Sequence, residues 1–327
     1  MRAIVFSDPG PPEVLGFSEV PEPVPGKGEL LVRVGAVGLN RADLLQRMGL
    51  YPPPAGTRSD ILGLECAGTV LESHDSASRF KPGDRVMAIL PGEAYAEQVV
   101  IPANQALPVP DSLSIEEAAA IPEVFLTAYD ALVGRLHLAC GESLLIHAVG
   151  SGVGTAALQI ARILGARVFG TAGSDDKLDG AKAFGLNLGI NYRNESFSRA
   201  LLEQGLQVDT ILDLVGARHF SENLAVLRSQ GRMVVVGLVS GRKAELDLGL
   251  LMQKRITLIG TVLRSRSETE KAALSLEFER TMLPLFLEGR LRPVVDRVFD
   301  WKEAAEAHRY MERNRNFGKI VLTVSRG

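Results

Sequence analysis

The pattern of hydrophobic and polar positions changes along the chain, and the change predicts two kinds of domain. In the first third, short apolar runs alternate with turns rich in proline and glycine, such as Lys-Pro-Gly-Asp at 81–84. Short runs bounded by such turns are typical of β-strands. We expect strands at 30–37, 68–72, 85–89 and 95–101. The first third is therefore predicted to be a compact, mostly β domain with a strongly bent sheet.

The middle of the chain has a different rhythm, in which strand-like runs alternate with helical segments. Six runs lie at 143–148, 167–171, 188–191, 208–214, 232–236 and 256–260. The helical segment at 152–164 has apolar residues at the spacing of one buried helix face, namely Val153, Ala156, Ala157, Ile160 and Leu164. Alternating strands and helices predict a doubly wound parallel sheet, and six strands are the number that a complete dinucleotide-binding fold needs.

The last part of the chain is predicted to return to the first domain. A long helical segment at 268–288 is followed by strands at 294–299 and 320–324 on either side of a helix at 301–312. A chain of 327 residues is also long enough for two cores. We predict an α/β protein with one domain formed by residues 1–123 and 290–327, and a Rossmann domain formed by residues 124–289.

The segment from Leu144 to Thr155 contains the sharpest chemical signal. An apolar strand leads directly into three glycines, and these open an amphipathic helix. Glycine permits a tight turn and lets a pyrophosphate approach the free N–H groups of the helix start. A tight strand–helix loop is the alternative, but the strand before and the helix after favour dinucleotide binding. The predicted contacts are Gly150 and Gly152, which supply the turn, Gly154, which permits close packing, and the intervening Ser151 and Val153.

The end of the second strand of this fold decides the choice of cofactor. NAD specificity usually requires an acid about 20 residues beyond the glycines, whereas the strand here ends in Gly-Thr-Ala-Gly-Ser. Lys177 can pair with a 2′-phosphate, and Ser174 can donate a hydrogen bond. Lys177 can also be an ordinary exposed helical lysine. Asp175 and Asp176 either repel that phosphate or serve the helix dipole. The residues favour NADPH.

Composition and charge exclude several other classes of protein. Hydrophobic residues make up 46% and charged residues 23% of the chain, as in folded globular proteins. The net charge is −3, the pI is about 6.0, and the basic residues are scattered, so we expect no nucleic-acid partner. The first apolar run is too short for a signal peptide, and no stretch reaches the length of a membrane span. Two cysteines, Cys66 and Cys140, suit a reducing compartment, so a cytoplasmic protein is predicted.

Motifs along nearly the whole chain resemble those of quinone oxidoreductases of the zeta-crystallin type, in the medium-chain dehydrogenase/reductase superfamily. They lie at 38–43, 63–65, 81–86, 127–129, 148–154, 171–174, 191–192 and 318–322. The resemblance implies a GroES-like catalytic domain formed by both chain ends, a Rossmann domain between them, and an active site in the cleft.

The resemblance also implies roles for particular residues. The family motif Ala-x-x-Gly-x-x-Gly falls on Ala148, Ser151 and Gly154, so Ser151 departs from the usual glycine, although its hydroxyl can donate to a phosphate. The resemblance places Lys177 and Tyr192 at the adenosine phosphate. On the nicotinamide side it implies Gly237, Leu238, Leu263 and Phe317. The remaining implied cofactor residues are Thr127, Gly173 and Lys319.

The resemblance also bears on zinc. Zinc-dependent relatives hold a catalytic metal through a cysteine and the histidine of a Gly-His-Glu motif, and these positions here are Asn40 and Leu64. Two distant cysteines also cannot form the four-cysteine structural lobe of those relatives. We therefore expect no metal and no alcohol dehydrogenation, because no metal would polarise an alcohol.

Without a metal, hydride transfer requires an acceptor that is already electrophilic, such as a quinone or a conjugated carbonyl. Tyr51 and Asn40 are the candidate hydrogen-bond donors for the forming oxyanion, and Asp43 can orient either one or a water. Asn40 and Asp43 also match a helix N-cap pattern. Tyr51 precedes three prolines and can simply pack on them.

We therefore predict an NADPH-dependent quinone reductase that acts without metal. The alternative is an NADPH-dependent enoyl or alkenal reductase, and a third hypothesis is a non-enzymatic protein that binds the cofactor, with a crystallin or RNA-binding role. The resemblance implies a homodimer or homotetramer that pairs through an edge strand of the Rossmann sheet. The apolar run from Ile256 to Val262 is the candidate for that strand.

Overall fold

The computed structural model describes residues 1–74 and 78–325, which fall into two compact units. Unit 1 comprises residues 1–126 together with the chain from residue 263 onward, and unit 2 comprises residues 127–262. The second boundary thus lies at residue 263, whereas the sequence predicts it at residue 290. The intervening segment packs on unit 1: Phe286 meets Phe125 edge-to-face at 4.9 Å, and Arg264 Nε donates to Pro91 O at 2.7 Å. Helical periodicity alone does not reveal which core a helix covers.

A bent, mostly antiparallel sheet forms the centre of unit 1. The elements before residue 120 are β1 (Arg2–Val5), β2 (Gly16–Glu19), β3 (Glu29–Leu39), α1 (Arg41–Arg47), β4 (Glu65–Ser73), β5 (Arg85–Ile89), β6 (Gln98–Pro102), β7 (Leu107–Pro108) and α2 (Ile115–Ala119). β3 pairs with both β4 and β6, and its pairing with β4 shifts register between Leu31 and Val32 and between Val34 and Ala36. Such irregularities bend a strand, as the sequence predicts for this sheet.

Unit 2 is a doubly wound sheet, which confirms the predicted fold class. Helix α3 (Pro122–Tyr129) runs across the boundary between the units and continues as a π-helical turn at Asp130–Arg135. Then follow β8 (Ser143–Ile146), α4 (Gly152–Ile163), β9 (Arg167–Ala172), α5 (Asp175–Lys182), β10 (Leu188–Asn191), α6 (Phe197–Leu202), β11 (Val208–Asp213), α7 (Phe220–Val226), β12 (Leu227–Val235), α8 (Leu248–Lys254) and β13 (Thr257–Gly260). The six strands pair in parallel in the order β10-β9-β8-β11-β12-β13.

This strand order determines where a ligand binds in unit 2. Numbered within the unit, the order is 3-2-1-4-5-6, which reverses direction between β8 and β11. Ligands of such sheets lie outside the carboxyl ends of the strands at that reversal. β8 is buried along its whole length, and Ala156, Ala157 and Ile160 of α4 are fully buried at the centre of the predicted apolar face. The turn between β8 and α4 is therefore held firmly at the switch point.

The end of the chain completes the sheet of unit 1. The last elements are α9 (Glu268–Thr281), α10 (Leu283–Leu287), β14 (Val295–Asp300), α11 (Ala304–Glu312) and β15 (Lys319–Thr323). β15 lies between β14 and β3, parallel to the first and antiparallel to the second. The single helix predicted at 268–288 is divided at Met282, because Pro284 has no N–H to continue the helical bonding. Within residues 1–74 and 78–325, no helix is long and apolar enough to cross a membrane.

Candidate functional site

The turn from β8 into α4 is built around a helix cap and an obligatory glycine. Ser151 is the N-cap of α4, and its Oγ accepts the N–H of Gly154 at 3.0 Å. A Cβ on Gly154 would lie 2.4 Å from Ala148 O and 2.7 Å from Val149 O, so no other residue fits. The left-handed backbone of the turn falls on Ala148, with φ of 51°. Ala148 therefore makes part of the turn that the sequence assigned to Gly150 and Gly152.

This turn fits the pyrophosphate of a dinucleotide. The first turn of an α-helix has N–H groups without intrahelical partners and carries the positive end of the helix dipole. The first turn of α4 contains no acidic residue. The close approach of Gly154 to the preceding loop brings these N–H groups to the carboxyl end of β8. The backbone from Gly150 to Gly154 therefore suits an anion, and the individual contacts remain predictions.

Two side chains that follow β10 extend over the backbone just after the neighbouring strand β9. A Cβ on Gly173 would lie 2.6 Å from Tyr192 Oη and 3.3 Å from Arg193 Nε, so both side chains extend over this glycine. Ser174 is the N-cap of α5, but its hydroxyl does not cap the helix, and Lys177 lies half-buried one turn later. The structure thus places the predicted residues Gly173 and Tyr192 together, close to the start of the helix that bears Lys177.

Arg193 is a candidate that the sequence reasoning missed. It directly follows the Asn-Tyr motif, and this position was a signal that could have been used. A polar pocket of about 260 Å³ is lined by Tyr192, Arg193, Asn194, Glu195, Ser196, Phe197, Arg218, His219 and Glu222. Asn191 Nδ2 donates to Asp175 Oδ1 at 2.9 Å, so a neighbouring amide holds that carboxylate at the helix start. This contact supports the interpretation of Asp175 as a helix-start acid.

The carboxyl ends of β11 and β12 approach each other closely. A Cβ on Gly237 would lie 2.6 Å from Leu214 O, and Leu238 beside it is half exposed. Asp213 Oδ1 accepts the N–H groups of Val215 at 2.8 Å and Gly216 at 2.9 Å, which fixes the loop after β11. Because all six strands are parallel, these predicted residues share one edge of the sheet with the glycine turn.

His147 is a buried structural residue beneath that edge. Asn223 Nδ2 donates to Asp213 Oδ2, so the Asn223 oxygen accepts from His147 Nε2 at 2.7 Å, and Thr171 Oγ1 donates to His147 Nδ1 at 2.9 Å. Burial lowers the pKa of His147 to about 4 and that of the adjacent His219 to about 4. Both imidazoles are therefore neutral at pH 7.

The other group of candidate residues lies in unit 1, around a buried ammonium. Lys319 Nζ donates to Glu65 Oε1 at 2.6 Å, to Asn40 Oδ1 at 2.7 Å and to Leu39 O at 2.6 Å. Asn40 Nδ2 in turn donates to Glu65 Oε1 at 2.9 Å and Gly38 O at 3.0 Å. All three donors of Lys319 are used inside this network, and its role toward a cofactor remains a prediction.

The start of α1 shows how Asn40 and Asp43 are bonded, while their catalytic roles remain predictions. Asp43 Oδ2 accepts the Asn40 N–H at 2.7 Å, and Asp43 Oδ1 accepts the Gly63 N–H at 3.1 Å. Burial raises the pKa of Asp43 to about 6, and these hydrogen bonds oppose the rise. The Asp43 carboxylate thus serves the helix start and Gly63. The Asn40 side-chain amide bonds to Glu65 and Lys319 instead. Only the backbone of Asn40 therefore takes part in capping the helix.

Tyr51 lies against a buried arginine. Arg264 Nη2 donates to Gln46 Oε1 in a short bond, Nε donates to Pro91 O at 2.7 Å, and Nη1 donates to Tyr51 O at 3.3 Å. The Arg264 guanidinium carbon is 5.0 Å from the centre of the Tyr51 ring. Burial raises the pKa of the half-buried Tyr51 phenol, which therefore keeps its proton. Arg264 therefore supports Tyr51, and the packing of Tyr51 on the prolines remains a prediction.

Glu123, at the start of α3, is the second residue that the sequence reasoning missed. Its N–H donates to Glu65 Oε2 at 2.8 Å, which ties α3 to the Lys319 network. Burial and then the neighbouring Glu65 raise the pKa of the Glu123 carboxyl to about 8. In the sequence, a glutamate that directly follows a proline at a helix start is explained by its favourable interaction with the helix dipole. This explanation gave no reason to expect that Glu123 lies beside other buried ionisable groups.

The remaining predicted residues are divided between the units. Thr127 is buried at the first position of unit 2, whereas Leu263 is buried in unit 1. Phe317 is in unit 1 as well, and its N–H donates to Asp296 Oδ1 at 3.0 Å. Their roles toward a cofactor remain predictions. Among the described residues, no group of three or more His, Cys, Asp or Glu side chains could hold a metal ion.

Two family models match the chain, one in each half. A model described as alcohol dehydrogenase GroES-like domain matches residues 26–111, and one described as zinc-binding dehydrogenase matches residues 152–278. A quinone oxidoreductase of Pseudomonas aeruginosa is 34% identical over 98% of this chain and 99% of its own length. Polyketide synthase GfsB of Streptomyces halstedii is 36% identical over 91% of this chain, which spans only 5% of that synthase.

Solved structures extend the same likeness. Escherichia coli quinone oxidoreductase complexed with NADPH superposes with a TM-score of 0.89 at 31% identity, over 99% of this chain and 100% of that one. An NAD-dependent alcohol dehydrogenase has a TM-score of 0.88 at 34% identity, again over 99% and 100%. CurK enoyl reductase has a TM-score of 0.88 at 26% identity, over 99% of each chain.

The parallel sheet with its glycine turn, joined to a GroES-like unit, defines an oxidoreductase that binds a nicotinamide dinucleotide. The chain belongs to the medium-chain dehydrogenase/reductase superfamily, as the sequence motifs predicted.

Proposed function

We propose that this oxidoreductase reduces quinones with NADPH and without a metal. The observation that carries the proposal is the Lys319 ammonium, bonded to Asn40 Oδ1 at 2.7 Å and Glu65 Oε1 at 2.6 Å. Asn40 stands where zinc-dependent relatives have a metal-binding cysteine, and the lysine already supplies the positive charge beside it. Without a Lewis acid, the acceptor must itself delocalise the charge that hydride transfer creates, and quinones do so.

The preference for NADPH is supported by three side chains around the end of β9. Tyr192 and Arg193 extend over Gly173, Lys177 follows in α5, and β9 ends at Ala172 without an acid. An arginine near this strand end accommodates the 2′-phosphate in many NADP-binding folds. The likeness to the Escherichia coli enzyme complexed with NADPH supports the same choice, while the likeness to an NAD-dependent enzyme leaves NADH to be tested.

Fluorescence titration tests the cofactor. We expect wild type to bind NADPH at least about tenfold more tightly than NADH, a difference of about 1.4 kcal/mol. Lys177→Ala is expected to weaken NADPH binding alone, whereas Lys182→Ala, an exposed lysine of the same helix that pairs with Asp179, leaves both affinities unchanged. A preference for NADH that Lys177→Ala does not alter contradicts the NADPH proposal.

The residues of unit 1 divide into one donor and a supporting network. The bound cofactor supplies a hydride with both electrons to the acceptor. The protonated Tyr51 phenol, fixed by Arg264, donates a hydrogen bond to the oxygen that becomes negative. Both amide hydrogens of Asn40 and both carboxyl oxygens of Asp43 are engaged within unit 1. These two residues therefore position the network, and Tyr51 alone of the three predicted catalytic residues contacts the acceptor.

An enoyl or alkenal reductase is the second candidate, and the likeness to CurK enoyl reductase and to polyketide synthases favours it. Steady-state assays with NADPH across benzoquinones, naphthoquinones, enones and enoyl thioesters separate the two. Quinone turnover that is negligible beside enoyl turnover contradicts the quinone proposal. Tight NADPH binding with no turnover of any acceptor supports the non-enzymatic hypothesis. The predicted cytoplasmic location and lack of a nucleic-acid partner remain predictions.

We propose further that two copies pair through the edge strand of unit 2. β13 ends the order of the parallel sheet, so one side of its backbone is available to a second β13. Nearby side chains are apolar and exposed: Met252 by 76%, Leu248 by 62% and Val262 by 47%. Light scattering is expected to show a dimer or tetramer for wild type and a smaller species for Met252→Lys combined with Val262→Lys. Leu287→Lys, equally exposed in unit 1, is the control, and an unchanged mass for the double variant contradicts this interface.

A further inference from the structure

Glu123 differs from the other ionisable groups of the unit 1 network because its carboxyl is unengaged. The Lys319 ammonium donates to Glu65, and the carboxylates of Glu65 and Asp43 accept hydrogen bonds from identified N–H groups. The Glu123 backbone N–H donates to Glu65, but its carboxyl forms no hydrogen bond or ion pair with any residue in 1–74 or 78–325. The side chain is half-buried, so a small molecule can reach it. The Glu123 carboxyl can therefore form a hydrogen bond with a substrate, whereas the groups of the Lys319 network already bond one another.

The surroundings of this carboxyl keep its proton in place at neutral pH. Burial is the main cause, and the carboxylates of Glu65 and Asp43 act in the same direction. The cations of Lys319 and Arg264 oppose them, and Lys271 of α9 also faces Glu123. The balance raises the pKa of Glu123 to about 8. A carboxyl group whose surroundings keep it protonated at pH 7 is typical of a general acid.

Glu123 and the proposed oxyanion donor, Tyr51, are both held to helix α1 through one intermediate residue. The Glu123 N–H donates to Glu65, which also accepts from Asn40 at the start of α1. Arg264 lies over the Tyr51 ring and donates to Gln46 of the same helix. The Glu123 carboxyl also acts, after burial and Arg264, on the pKa of the Tyr51 phenol. Arg264 interacts with both of them. A hydrogen-bond donor and a proton donor thus lie together in unit 1.

We propose that Glu123 is the general acid of the reaction, delivering a proton to the acceptor as it is reduced; this proposal rests on the proposed reductase function. The hydride brings two electrons to the acceptor, and the nicotinamide is oxidised. The reduced acceptor carries a negative charge. The Glu123 O–H bond breaks, a new O–H bond forms on the acceptor, and the resulting carboxylate takes a proton from water. No other reductant or co-reactant is needed.

Glu123→Gln is the direct test, because glutamine has nearly the same shape but no acidic proton. With NADPH and a benzoquinone, kcat is expected to fall about 10²- to 10⁴-fold, the usual contribution of a general acid. The NADPH dissociation constant, measured by fluorescence without acceptor, is expected to stay within about twofold of the wild-type value, since Glu123 is not proposed to bind the cofactor. Glu22→Gln, an exposed glutamate of unit 1, is the matched control and keeps the wild-type kcat.

The pH dependence supplies two further readouts. Wild-type kcat is expected to fall as pH rises through about 8, where Glu123 loses its proton, and this limb is expected to vanish in Glu123→Gln. The protein without cofactor gives the second readout. The folded state keeps a proton that the unfolded state releases above its ordinary pKa of 4.5, so the contribution of Glu123 to stability falls from about pH 4.5 to about pH 8. Glu123→Gln is expected to lack this loss in urea unfolding.

The outcomes separate this proposal from the reductase function itself. Wild-type turnover together with a Glu123→Gln kcat within twofold of it overturns the general acid and leaves the reductase function standing. A wild-type enzyme with no NADPH-dependent turnover of any acceptor overturns both. If Glu123→Gln does not fold, wild-type kcat that stays constant up to pH 9.5 overturns the general acid by itself.

Discussion

The two units form their candidate sites from different materials. In unit 2 the site is mainly backbone, held close by glycines: a Cβ at Gly154, Gly173 or Gly237 would lie 2.4, 2.6 and 2.6 Å from its nearest neighbour. In unit 1 the site is made of ionisable side chains that come from distant segments of the chain. Lys319 and Glu65, for example, are 254 residues apart and fully enclosed.

This difference determines how each site fails. The backbone cradle of unit 2, meaning the glycine-rich backbone around the turn from β8 into α4, is sensitive to added side-chain volume. Only the few side chains beside it determine which dinucleotide is preferred. A buried ionic network is sensitive to the removal of a single partner, because the remaining charge is left without compensation in a medium that solvates it poorly. Substitutions in the two units should therefore separate loss of stability from loss of cofactor choice.

The largest effect is expected from Lys319→Met in unit 1. Removing the ammonium leaves Glu65 buried and unpaired, and breaking such a pair costs about 3–5 kcal/mol. Urea unfolding of the protein without cofactor measures this loss. Lys302→Met, an exposed lysine of the same unit, is the control. Adding Glu65→Gln to Lys319→Met should restore part of the stability, and a loss below about 1 kcal/mol in the single variant contradicts a tight network.

The second effect is a loss of unfolding free energy at low pH, which we expect because His147 of unit 2 is buried and neutral. Burial lowers the pKa of His147 from 6.5 to about 4, so between these values the unfolded state binds a proton that the folded state does not. The contribution of His147 to stability is therefore complete above about pH 6.5, and it falls by up to about 3 kcal/mol as pH drops to about 4. Urea unfolding of wild type and His147→Asn between pH 7.5 and 4.5 should show a shallower pH slope for the variant. His137→Asn, an exposed histidine, is the control, and equal slopes for all three proteins contradict the buried neutral state.

The third effect tests the backbone cradle. Gly154→Ala places a methyl group 2.4 Å from Ala148 O, so the turn must shift. We expect a loss of about 1–3 kcal/mol in unfolding free energy, the usual result of overpacking, and NADPH and NADH binding weakened alike. Gly16→Ala, where a Cβ meets nothing within 4 Å, is the matched control for calorimetry and titration. Wild-type affinity for both cofactors in Gly154→Ala would count against the cradle.

The smallest effect separates cofactor choice from stability. Arg193→Ala removes a guanidinium over Gly173 and is expected to weaken NADPH binding about tenfold, or about 1.4 kcal/mol, with NADH binding unchanged. Thermal unfolding should be nearly unaffected, because Arg193 is exposed. Arg199→Ala in α6, whose guanidinium pairs with Glu203 on the surface, is the control. An equal loss for both cofactors would show that Arg193 does not read the 2′-phosphate.

Unit 2 could be predicted closely because its signals are local. The run from β8 through α4 and the helical spacing of Ala156, Ala157 and Ile160 depend on residues near each other in the chain. The packing role of Gly154 was likewise correctly derived from the strand–turn–helix pattern. Arg193 escaped because it reaches β9 from the adjacent strand β10, and strand order is not a local property.

Unit 1 could be predicted only in outline, because its chemistry depends on pairs that are remote in the chain. The motif containing Lys319 indicated a cofactor residue, but the folded chain brings this lysine to Glu65 and Asn40. The same remoteness concealed Glu123, whose pKa is raised first by burial and then by Glu65, a residue remote in the chain. The extent of that unit was also underestimated, since α9 and α10 pack on it.

The sequence by itself determined the parallel sheet, the glycine turn and the absence of an acid at the end of β9, since each follows from residue type and short-range spacing. Only the tertiary structure decided which charges are buried together and which carboxyl remains unengaged. The physical reason is that backbone geometry is set within a few residues, whereas the electrostatic setting of an ionisable group is the sum over all neighbours that folding brings near it. The turn after β8 was therefore evident from the chain, and Glu123 was not.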